Sequence, residues 1–192
     1  MRGFDTAGGR PSPRLVPRGP LSVAIALAVT VCGGAVQAGP YGIGTPATPA
    51  QVQGWNIDVA PDGKNLPAGG GTLADGKSLY ETRCAACHGV KGEGGLGDRL
   101  AGGVGTLADR KPVKTVGSFW PYATTLYDYI RRAMPLDAPQ TLSNDEVYSV
   151  TAYVLALNGL WPDGAPANAR TLLQVRMPNA GGFVADPRPD VR

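Results

Sequence analysis

Three stretches of the chain place apolar side chains at helical intervals, and long irregular segments separate them. The last stretch is the best marked: Val147, Val150, Tyr153, Val154 and Leu157 recur three and four residues apart. Ser143 and Glu146 precede them with the spacing of a capping box, and Gly159 stands where a helix C′ glycine belongs. The pattern predicts a helix over 143–157. In the middle stretch Ala123, Leu126, Tyr127 and Ile130 share one face, Asp128 and Arg132 make an i,i+4 pair on the other, and Pro135 ends the run, which predicts a helix over 121–133. The first begins at Thr72-Leu73-Ala74-Asp75, again of capping-box form, and runs through Tyr80 to Cys84. Gly76 interrupts this helix at a cost of about 1 kcal/mol relative to Ala. Close approach of another helix is the expected reason, with Tyr80 and Tyr153 packing where the first and last helices cross.

Between and around these helices the periodicity lapses. Residues 39–71 are rich in Gly and Pro and read as an extended arm, with Trp55 and Ile57 as candidates to tack it down. Residues 89–117 are glycine-rich and irregular. Residues 160–192 carry many prolines and no apolar period, and read as a surface tail. No internal repeat is present. The expectation is an all-α domain over 72–159, with about three main helices, flanked by two extended arms.

The N-terminus changes the picture of size and charge. Arg14 and Arg18 precede an apolar run over 21–32, and small residues continue to Ala38, so residues 1–38 read as a signal peptide for export. The run is well short of the roughly 20 apolar residues of a membrane span, although a retained anchor is the alternative. Cys32 comes after the bulky Val31, which argues against a lipid-anchored start. The formal charge of the 192 residues is +3. Arg2, Arg10, Arg14 and Arg18 against Asp5 account for that excess, and the chain from Gly39 onward is formally balanced. No basic patch argues for nucleic acid.

With Cys32 in the signal, two cysteines remain, in the string Cys84-Ala85-Ala86-Cys87-His88. This spacing is the attachment signature of c-type haem. A zinc site would need four ligands, and the chain has a single histidine; a thioredoxin-like pair would need a βαβ context, which is missing. His88 is then an axial ligand, and two histidines on the iron are impossible within one chain. The second axial ligand is Met134, Met177 or none. Met134 directly follows the second helix and is fixed by Pro135, whereas Met177 sits in the tail, so Met134 is the favoured candidate. A Met/His pair raises the reduction potential and leaves no position for substrate. The glycine-rich segment 89–117 suits a wrap around a flat ligand. Trp120 and Tyr122 either wall the haem and bond a propionate or are ordinary aromatic core.

Capped helix, Cys-x-x-Cys-His, irregular wrap, Met loop and final helix together resemble a class I cytochrome c domain over 72–88 and 118–159. A narrower resemblance rests on four strings: Asn56-Ile57-Asp58-Val59-Ala60-Pro61-Asp62-Gly63, the segment 111–124 with Val116-Gly117-Ser118-Phe119-Trp120-Pro121-Tyr122, then Arg131-Arg132-Ala133-Met134-Pro135, and Met177-Pro178-Asn179. These are similar to the cytochrome subunit (SoxD-like) of sulfane dehydrogenases. The resemblance implies a periplasmic electron acceptor paired with a molybdenum-cofactor dehydrogenase subunit in thiosulfate oxidation, and delivery to a downstream acceptor. It implies that Cys84, Cys87, His88 and Met134 hold one covalent haem c. Some members carry two haem domains; this chain has one motif. The expected role is an electron-transfer subunit rather than a catalyst on its own. The rival readings are a freely diffusing shuttle, the cytochrome of a sulfite dehydrogenase, and a ligand-binding or peroxidatic haem protein.

Overall fold

The structure, a computed structural model, describes residues 43–188. The chain divides into two units, residues 1–49 and 50–192. The signal-peptide reading lies outside the described residues. Residues 43–49 are exposed. Helix α1 (Pro49–Trp55) buries none of its side chains. Trp55 is 88% exposed and does not fasten the arm.

The second unit is built on two crossing helices. Helix α2 (Leu73–Arg83) starts at Thr72, whose hydroxyl oxygen accepts the Asp75 N–H at 3.1 Å. The expected reciprocal bond is absent: the Asp75 carboxylate takes the Thr72 hydroxyl at 2.6 Å rather than its backbone N–H. A single helical turn, α3 (Ala85–His88), comes next, with Cys84 both ending α2 and beginning α3. Helix α4 (Ala123–Ala133) ends at Met134, and helix α5 (Asn144–Leu157) carries the full capping box of Ser143 and Glu146. Beyond α5 the Leu160 N–H returns to the Leu155 carbonyl at 3.0 Å, a Schellman closure around Gly159.

Gly76 lies where α2 meets α5, and a Cβ there would overlap the Ser149 carbonyl. The helix-breaking cost of glycine is therefore offset by contact that no other residue permits. Beside it the Tyr80 and Tyr153 rings meet at 5.2 Å between centroids. Helix α4 joins the same core through Tyr127 against Tyr148, 4.5 Å apart.

Both arms are more ordered than their composition predicts. Asp128, expected on the solvent face of α4, is buried and accepts the Val59 N–H at 2.9 Å while pairing with Arg132. Arg131 holds the Ile57 carbonyl at 3.1 Å, and the Tyr148 hydroxyl holds the Pro67 carbonyl at 2.8 Å. Strand β1 (Gly70–Gly71) pairs antiparallel with β2 (Ala167–Asn168). The C-terminal segment is not simply a surface tail. Trp161, Ala167, Leu172 and Met177 are buried in the core, and helix α6 (Ala169–Gln174) starts on an Asn168 cap. Six helical residues span less than two turns, too few for a periodicity to show.

Candidate functional site

Cys84, Cys87 and His88 are brought together by the turn α3. Cys84 is half-buried against the core, Cys87 is exposed, and the two thiols are free rather than bridged. Burial, aided by the nearby Cys87 and opposed by Arg83, pushes the Cys84 thiol up to about 11, so it stays protonated at neutral pH.

The segment after His88 folds back over it. The Gly94 N–H donates to the His88 carbonyl at 2.7 Å, and the Gly97 N–H to the Cys87 carbonyl at 2.9 Å. This return sets the Asp98 carbonyl 2.7 Å from His88 Nδ1. A carbonyl only accepts, so Nδ1 carries the proton and Nε2 keeps its lone pair free for a metal. Gly97 makes the approach possible, since a Cβ at that position would lie 2.9 Å from the imidazole Cε1. Glu93 stiffens the same loop: its carboxylate accepts the Lys91 N–H at 2.7 Å, and its carbonyl accepts Arg99 Nε at 3.0 Å. Backbone hydrogen bonds hold its carboxyl below the usual range. Buried Tyr80 donates its hydroxyl to the Gly89 carbonyl at 2.8 Å, and burial pushes this phenol up to about 12, which keeps it a donor.

Met134 is half-buried at the end of α4, its N–H still bonded to the Ile130 carbonyl at 3.1 Å. Trp120 is half-buried beside the same core and meets Tyr129 edge-on at 5.7 Å. Tyr122 instead lines a separate open cleft of about 530 Å³ at the start of α4, with Pro61, Leu172 and Met177 among its walls. That cleft includes none of Cys84, Cys87, His88 and Met134. Met177 is 5% exposed there, a core side chain rather than a free donor.

Two free thiols in one turn, an imidazole with Nδ1 occupied and Nε2 bare, and a half-buried thioether fit the demands of a covalently attached, axially ligated haem. The profile of the cytochrome c family matches residues 73–158. A chain of the crystal structure of the sulfane dehydrogenase SoxCD from Paracoccus pantotrophus superposes with a TM-score of 0.70 and 45% identity, over 78% of this chain and 74% of that one. The chain belongs to the cytochrome c family.

Membership implies covalently bound haem c, a class I cytochrome c fold and electron transfer as the function. Among curated proteins this cytochrome is 31% identical over 111 residues to the thiosulfate dehydrogenase of Stutzerimonas stutzeri (strain A1501). It is 34% identical over 80 residues to that of Allochromatium vinosum. The matches cover 52% and 42% of this chain, but 35% and 29% of those proteins, so the cytochrome spans about a third of their length. Among the described residues no helix is long and apolar enough to cross a membrane.

Sequence reasoning missed the Asp98 carbonyl, because a backbone acceptor has no residue signature. The only trace was the run of glycines around it.

Proposed function

We propose that this cytochrome is a periplasmic, mono-haem electron carrier and the haem subunit of a molybdenum-dependent dehydrogenase acting on sulfane or related sulfur compounds. In this reading Cys84 and Cys87 would hold the haem by thioethers, while His88 Nε2 and the Met134 sulfur would ligate its iron. The observation that carries it is the His88 lock: Nδ1 engaged by the Asp98 carbonyl at 2.7 Å, one turn from two free thiols. When bound, the haem supplies a one-electron couple. The residues around it fix its environment. Asp98 would hold the imidazole in one tautomer, the core against which Met134 packs would keep that thioether in place, and Trp120 would wall the site. With both axial positions filled by side chains, no position is left for substrate, which suits transfer rather than catalysis. The 45% identity to a chain of the sulfane dehydrogenase supports a molybdenum-cofactor partner as donor, with a downstream acceptor taking the electron.

The test uses protein matured in a host that attaches c-type haem. The haem is expected to stay with the chain through acid–acetone extraction, in a one-to-one mass ratio. Met134→Ala is expected to abolish the sulfur-to-iron charge-transfer band and lower the potential, whereas Met177→Ala keeps the band. The purified molybdenum subunit is expected to reduce the cytochrome in the presence of its sulfur substrate. Haem lost to the organic phase overturns the attachment, a band kept in Met134→Ala overturns the ligand, and a reduced protein that binds carbon monoxide readily overturns the carrier role.

A further inference from the structure

Segment 89–102 approaches His88 through main-chain atoms, yet side chains of the two crossing helices grip it at both ends. At the near end, Tyr80 of α2 donates its hydroxyl to the Gly89 carbonyl at 2.8 Å. At the far end, Asn158, which caps α5, works with both halves of its amide. Its Nδ2 donates to the Leu100 carbonyl at 3.1 Å, and its Oδ1 accepts the Gly102 N–H at 3.1 Å. The Asp98 carbonyl on His88 Nδ1 lies between these grips. Tyr80 is fully buried in the crossing. Both grips therefore start from the two crossing helices.

We propose that Tyr80 and Asn158 are positioning residues that together hold the Asp98 carbonyl on His88 Nδ1 and so set the donor strength of the imidazole. This rests on His88 being the iron ligand. A hydrogen bond accepted from the remote ring nitrogen makes an imidazole more basic and fixes its orientation. A stronger donor stabilises oxidised iron, so a firm Asp98 contact lowers the reduction potential and a loosened one raises it. Neither residue touches His88, and both act by restricting the loop between them.

The test compares Tyr80→Phe and Asn158→Ala with Tyr148→Phe. The control removes the same kind of bond elsewhere: the buried Tyr148 hydroxyl also donates to a carbonyl, that of Pro67, at 2.8 Å. The readouts on the haem-loaded protein are solvent exchange of the His88 Nδ1 proton in the reduced state, followed by NMR with labelled histidine, and the reduction potential. Tyr80→Phe is expected to speed this exchange about five- to tenfold, the factor that the net worth of one hydrogen bond corresponds to. Asn158→Ala, which removes two bonds to the loop, is expected to speed it by more, and both are expected to raise the potential. The double variant is expected to exceed either single one. Tyr148→Phe is expected to lower the melting temperature comparably while leaving exchange and potential unchanged. Exchange and potential unmoved in Tyr80→Phe and Asn158→Ala, or moved as much by Tyr148→Phe, overturn the proposal. A chain that carries no haem instead overturns the ligand assignment itself, and the two failures are thereby distinct.

Discussion

The N-terminal and C-terminal arms share a Gly- and Pro-rich composition, and they are held mainly by different means. Residues 56–70 lie along α4 and α5 and are fixed by polar side chains that reach their main chain: Asp128 to Val59, Arg131 to Ile57, Asn144 to Ala68 and Asp145 to Gly70. Residues 161–177 are fixed by their own apolar side chains, with Trp161, Leu172 and Met177 all under 8% exposed. Apart from Val59 and Leu66, which reach the core, the first arm contributes backbone and borrows side chains; the second contributes mainly side chains. Burial of large apolar groups is the stronger and less directional hold, so the two arms should fail differently.

The largest effect is expected in the C-terminal arm. Met177→Ala should cost about 2–5 kcal/mol, the range for truncating a buried methionine, measured by denaturant unfolding. A loss under about 1 kcal/mol would show that the segment is not part of the cooperative core. Next comes Asp128→Ala, which leaves the Val59 N–H without its partner and should cost about 1–3 kcal/mol. Hydrogen exchange should rise at Val59 and leave Leu172 and Met177 unchanged; a rise in both arms would erase the contrast. The smallest effect is one of acid. Hydrogen bonds from the Ser143 backbone and side chain hold the Glu146 carboxyl below its ordinary value. Its contribution is therefore present above the unfolded-state value and is lost as pH falls through the lower folded one. That cap secures the first turn of α5, where Asn144 and Asp145 hold the N-terminal arm. Acid below the ordinary glutamate range should thus raise exchange at Gly70 before any change near Trp161. Glu146→Gln should remove most of this pH dependence.

The same contrast explains what could be read from residues alone. The three helices, their caps and the Cys84, Cys87 and His88 cluster are each written in side chains at fixed spacing. So was the reason for Gly76, since a glycine inside a capped amphipathic helix demands a close neighbour. Met134 at the end of α4 was legible from the position of Pro135. The hold on Val59 was not, because Asp128 forms a sound i,i+4 pair with Arg132 and nothing local shows a second duty toward a residue far away in sequence. The buried role of Trp161, Leu172 and Met177 was hidden by spacing set by turns rather than by a helix. The grip of Tyr80 and Asn158 on main-chain carbonyls and amides was equally silent, as was the placing of Tyr122 on a cleft away from Met134.

The crossing of α2 and α5 also governs how much the intervening chain is free to vary. It joins the two ends of the cytochrome domain directly, so everything from Cys84 to Leu142 is one closed loop in the topological sense. Closing a longer loop costs little, about 0.6 kcal/mol for each doubling of length. Residues 108–112 are exposed and lie outside the Tyr80 and Asn158 grips. An insertion there would lengthen the loop without moving the helices or the His88 lock. This stretch is where an added surface element would least disturb the site.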